Sequence, residues 1–154
     1  MGAVYSHDIQ KEQVSHGLQV FRNDTGRAIE LLGDMTCNPS LNSAELELLK
    51  DDVSREHEAN HTRYEETLLS NAHYNSFRDH MMGQPTKGDR DLTSTIGVDH
   101  LQQFHAAHYY GDNMVVVATG DVNHDEIVEQ VNNHFGNLPK TTTARITGTD
   151  KNVY

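Results

Sequence analysis

Tryptophan is absent from this 154-residue chain, cysteine occurs once, proline three times, and 12 basic residues stand against 23 acidic ones. Each shortage excludes something. A lone thiol, Cys37, rules out an internal disulfide framework and suits a reducing compartment. No apolar run approaches the roughly 20 residues that span a bilayer. The first residues read as neither a signal peptide nor an Arg-rich transit peptide. The formal charge of −11 argues against nucleic acid or an anionic membrane as partner and is compatible with basic peptides. One domain of this length buries roughly 70% of its unfolded surface when complete. With 35% apolar residues and a mean hydropathy of −0.70, the chain is lean for that task.

What is present is ordered by period and punctuation. Val14 to Phe21 alternates weakly and is expected to be a strand. Asn23 or Asp24 is placed to cap a helix running to about Met35, with Ile29, Leu31 and Leu32 inward. Asn38-Pro39-Ser40 breaks it. Ser43, followed by Glu45 and Glu47, opens a long helix with Leu46, Leu49, Val53, Tyr64 and Leu68 at helical spacing. The polar stretch from Gly83 to Gly97 reads as an exposed loop. A helix over Val98 to Tyr109 is expected to turn Leu101, Phe104 and His105 or His108 inward. Met114 to Thr119 is continuously apolar, which predicts a strand covered on both faces. Asn123 caps a final helix to Phe135 whose stripe is Ile127, Val128, Val131 and Phe135. The pattern is α/β, with helices packed on a sheet.

The one literal catalytic motif is His57-Glu58-Ala59-Asn60-His61. It satisfies H-E-x-x-H, in which histidines four apart share a helical face and can grip zinc while the glutamate activates water. Its surroundings are unfavourable. Arg55 and Arg63 bring cations close, and a third protein ligand would have to come from His73, Asp79 or His80. With Val53 at the centre of the apolar stripe, about 100° per residue places His57 about 40° to one side and Glu56 about 60° to the other. Glu58 points well away. Helical position therefore does not choose between Glu56 and His57, and a plain polar shoulder of a long helix explains the motif equally well.

A wider pattern lies around it. Gly26-Arg27-Ala28-Ile29-Glu30-Leu31-Leu32-Gly33-Asp34-Met35 is followed by Asn38-Pro39-Ser40-Leu41. Then come Asp51-Asp52-Val53-Ser54-Arg55-Glu56, Tyr64-Glu65-Glu66, Gly83-Gln84-Pro85 and Thr95-Ile96-Gly97. Phe104-His105-Ala106-Ala107-His108-Tyr109-Tyr110 follows, and the series closes with Tyr110-Gly111-Asp112-Asn113 through Gly120-Asp121-Val122 to Leu138-Pro139. In this order the blocks resemble the M16 (pitrilysin-type) metallopeptidases, of the mitochondrial processing peptidase β-subunit and cytochrome bc1 core-subunit type.

The resemblance implies an α+β sandwich with helices on a mixed, largely antiparallel sheet, present here as an incomplete M16-type domain. Residues 1–140 would form the distal part of that domain, with Ala3 to Gln13 resembling a mid-domain hairpin, and 141–154 a polar tail. By the same match Glu56 stands at the third zinc-ligand position. The family's inverted H-x-x-E-H motif is not in this sequence, and a further family glutamate, seven positions before the ligand, falls on Leu49. Zinc is therefore expected only if a partner supplies H-x-x-E-H, and the chain alone is not expected to be a peptidase. The implied partners are other M16-type subunits (processing peptidase α/β or complex III core) and basic presequence peptides. The implied place is the mitochondrial matrix side, with association to the inner membrane through complex III. Two other readings stay open: an interaction subunit with no metal site, and an independent zincin using His57, Glu58 and His61.

Overall fold

A computed structural model describes residues 2–60, 64–78, 80–86, 88 and 90–141, with the backbone alone at 57–60, 66 and 90. The chain divides into two compact units. The first gathers Met1–Ile9, Val14–Ser40 and Gln103–Arg145, and the second Gln10–Gln13, Leu41–Gln102 and Ile146–Tyr154.

In the first unit, β1 (Val4–Ile9) and β2 (Val14–Gln19) pair antiparallel, from Val4 opposite Gln19 to Ile9 opposite Val14. The expected strand from Val14 is present as far as Gln19, and it is the second arm of a hairpin whose first arm alone lies within Ala3 to Gln13. Helix α1 (Thr25–Cys37) buries Ala28, Ile29, Gly33 and Thr36. Ile29, Gly33 and Thr36 recur at spacings of four and three, with Ala28 beside them, so they share one face. Leu31, expected inward, is exposed because it lies about 200° around the helix from Ile29. The Thr36 hydroxyl satisfies itself on the Leu32 carbonyl at 2.7 Å.

Helix α6 (His124–Phe135) packs on α1. Gly33 permits the close approach, since a Cβ there would stand 2.9 Å from the His134 Cβ. The α6 cap is as expected: Asn123 Oδ1 accepts from the N–H groups of Asp125 (3.0 Å) and Glu126 (3.2 Å). Asn123→Ala should cost about 1 kcal/mol of stability, read as a shift in the denaturation midpoint. A shift of zero would show that the cap adds nothing. In the α6 stripe Ile127, Val131 and Phe135 are half-buried, while Val128 is exposed.

Two expectations fail here. Met114 to Thr119 joins no ladder among the described residues, and the sheet is two-stranded. Val115 is 89% and Val117 77% exposed, so the anticipated cover on both faces is missing. A segment that pairs with no other strand lacks the sheet on which its side chains would be buried, whatever its composition. Helix α5 (Val98–His108) has Leu101, His105 and His108 half-buried and Ala107 buried, but Phe104 is exposed. The Phe104 ring leans instead on His108, one turn on, at 4.4 Å between centroids.

In the second unit, α2 (Ser43–Asn60) is followed by α3 (Tyr64–Ser76). Asn42, rather than Ser43, caps α2: its Oδ1 accepts from Ala44 N–H at 2.8 Å. Leu46 and Val53 are half-buried, but Leu49, Tyr64 and Leu68 are exposed, so the anticipated long stripe is covered only in part. The short α4 (Arg90–Thr95), which packs on α2, covers too little to do more. That helix also corrects the reading of Gly83 to Gly97 as a plain loop. It forms from a polar sequence whose Ser94 and Thr95 hydroxyls donate back to the carbonyls of Asp91 (2.6 Å) and Leu92 (2.7 Å). No helix among the described residues is long and apolar enough to cross a membrane.

Candidate metal centre

The ligand candidates lie on α2 and the elements after it. Glu56 is exposed. Leu49, seven residues earlier, lies about 20° away on the same helical face, and it too is exposed. The cation next to Glu56 is engaged elsewhere, because the Arg55 guanidinium pairs with Asp52 and its Nε donates to the Asp51 carbonyl at 3.4 Å. A groove of about 320 Å³ opens between α2 and α4, lined by Glu47, Lys50, Asp51, Val53 and Ser54 together with Asp91, Thr93 and Ser94. Glu56 does not line it. Lys50 and Glu47 pair across 2.7 Å at its wall, so its charge is mixed rather than metal-like.

The backbone of His57 and Glu58 is helical, their side chains lie outside the described residues, and His61 and Asp79 lie wholly outside them. His73 is exposed on α3 and stacks on Phe77 with centroids 6.2 Å apart. His80 is half-buried and uses its Nδ1 to accept the Met82 N–H at 3.1 Å, capping the turn Met81–Gly83. Among the described residues no three His, Cys, Asp or Glu side chains gather where they would hold a metal ion. Zinc in a catalytic site takes three protein ligands and a water. The described candidates, one carboxylate on a helix face and two separated imidazoles, do not fit that set by themselves.

The surroundings of Cys37 do not activate it as a nucleophile. Partial burial raises its pKa, the Asp34 charge raises it further, and the Thr36 hydroxyl lowers it in part. The net direction keeps it a thiol, and the thiolate is the reactive form. Its S–H points to the His134 carbonyl at 3.7 Å, at the α1–α6 contact. Two polar links escaped the sequence reading. His105 Nε2 lies 2.7 Å from the Thr36 carbonyl oxygen, and Tyr5, His7 and His16 cluster on the hairpin. The first joins residues 69 apart and left no local signal. The second needs the strand register, which alternation alone does not fix.

Against this geometry stand the likenesses to known proteins. Residues 1–90 match the family model described as Insulinase (Peptidase family M16), and residues 95–153 match the one described as Peptidase M16 inactive domain. The chain belongs to peptidase family M16. A bovine (Bos taurus) mitochondrial-processing peptidase subunit beta is 29% identical over 146 residues, covering 95% of this chain and 30% of that protein. The human cytochrome b-c1 complex subunit 1, mitochondrial, is 25% identical, covering 97% of this chain and 33% of its own length. The M16 chain thus spans about a third of the curated relatives it matches. The first half of the periplasmic protease PqqL from Escherichia coli superposes with a TM-score of 0.75 at 14% identity, over 92% of this chain and 31% of that one. That likeness shows the fold: an incomplete M16 domain, rich in helix, with an antiparallel hairpin.

Proposed function

We propose that this M16 chain forms the distal part of a subunit of the processing peptidase β or complex III core type, and that it is not catalytic alone. The observation that carries the reading is the ordered match to M16 over nearly the whole chain without an H-x-x-E-H motif in it. In this reading residues 1–140 make the packed M16-like part and 141–154, although the M16 match runs on to residue 153, a polar extension. Glu56 is the third zinc ligand of an assembly in which another polypeptide segment brings two histidines and the general-base glutamate. Glu56 stands exposed on α2, at the position that the resemblance gives to that ligand. The acidic charge favours basic presequence peptides as substrates. The mitochondrial relatives support a mitochondrial location; within it, the proposed place is the matrix side, at the inner membrane where the assembly is complex III.

Affinity capture of the chain from mitochondria, followed by mass spectrometry, tests the assembly. The expected result is recovery with an M16 polypeptide in stoichiometric amount. Recovery of the chain only as a free monomer would defeat the proposal. His57→Ala combined with His61→Ala should leave the zinc content and peptidase activity of such an assembly nearly unchanged. The stability cost should be about 1 kcal/mol or less, as at surface-flanking positions. Loss of metal in that double variant would instead favour the independent zincin.

A further inference from the structure

The β1–β2 register sets His7 directly opposite His16 and Tyr5 opposite Leu18, so Tyr5, His7 and His16 share one face of the hairpin. Directly opposed residues hold their Cβ atoms about 4.5–5.5 Å apart, close enough for two imidazoles to reach one ion. The Tyr5 ring stacks on both, with centroids 5.9 Å from His7 (interplanar angle 21°) and 6.2 Å from His16 (16°). Tyr5 Oη lies 2.8 Å from His16 Nδ1. When Nδ1–H donates to that oxygen, His16 Nε2 carries the lone pair, which is how an outer-shell oxygen fixes a metal-binding tautomer. The other strand residues on this face are Ile9, Val14 and Leu18, none of them charged.

We propose that His7 and His16 form a bidentate surface site for a late divalent transition ion, with Tyr5 as its positioning residue and water completing the coordination. The site is independent of the M16 reading of α2. Imidazole pairs suit Cu²⁺, Ni²⁺ and Zn²⁺, and affinity peaks at Cu²⁺.

The test is frozen-solution electron paramagnetic resonance of Cu²⁺ added at one equivalent to the full chain. It is run in a His57→Ala/His61→Ala background that removes the two histidines of the H-E-x-x-H motif as competitors. Two coordinated imidazole nitrogens are expected, falling to one after either His7→Ala or His16→Ala, with at least tenfold weaker binding in each. Tyr5→Phe should keep both nitrogens while weakening binding about tenfold, the scale of an outer-shell loss. Melting curves on all variants check that the hairpin survives. A two-nitrogen signal unchanged by the His7 and His16 substitutions would overturn the site, as would full-strength binding in Tyr5→Phe for the positioning role.

Discussion

Glu56→Gln is expected to strip zinc from the assembled subunit and take the peptidase activity with it, while Glu58→Gln leaves both nearly intact. A carboxylate ligand contributes charge as well as an oxygen, and the amide that replaces it is neutral. Loss of outer-shell partners alone costs about 10–100-fold in metal affinity or activity, so loss of a ligand should cost at least that. The ranking follows from the helix. Glu56 and Glu58 are two residues apart, and two positions on an ideal helix are separated by about 200° around its axis. Zinc analysis and presequence cleavage by the two variant assemblies decide it. Loss with Glu58→Gln and retention with Glu56→Gln would mean that the H-E-x-x-H motif, not the M16 position, is the metal-binding element.

Without its partners the chain should behave as a weakly packed, dye-binding or self-associating species. Among the described residues the buried apolar side chains are Ala28, Ile29 and Ala107, and no side chain is fully enclosed. Meanwhile Val115, Val117, Leu49 and Leu68 stand largely in solvent. Burial of apolar area is the main favourable term in folding, at about 25 cal/mol per Å², and here most large apolar side chains contribute little of it. The extended segment from Met114 to Thr119 also offers backbone groups to any strand that approaches. A broad, low-temperature transition with strong binding of an apolar dye is the expected result in the isolated chain, with size-exclusion elution larger than a monomer. A sharp, monomeric, two-state melt at high temperature would contradict it.

Much of the local structure was legible because local rules decide it. The Asn123 cap, the break after α1, the start of α2 near Ser43 and the strand at Val14 all follow from residues within a few positions. Burial was less legible, and for one reason. Apolar periodicity states which face wants cover, not whether cover exists. Val115 and Val117 carry the strongest strand signal in the chain and yet are exposed. Leu31 failed differently, through a neglected rotation of about 200° from Ile29. The family was legible from blocks in order, and residues 1–90 and 95–153 confirm it. The choice between Glu56 and His57 as a candidate ligand was not separable from sequence, because by helical spacing both flank the same stripe.

The expectation is that this M16 chain holds no complete catalytic metal site of its own. Its most direct test is the zinc content of the purified chain after dialysis against a weak chelator that strips exchangeable surface ions. Far less than one zinc per chain is the predicted result, since structural and catalytic sites both need more ligands than α2 presents. About one tightly held zinc per chain, lost in His57→Ala/His61→Ala, would contradict it.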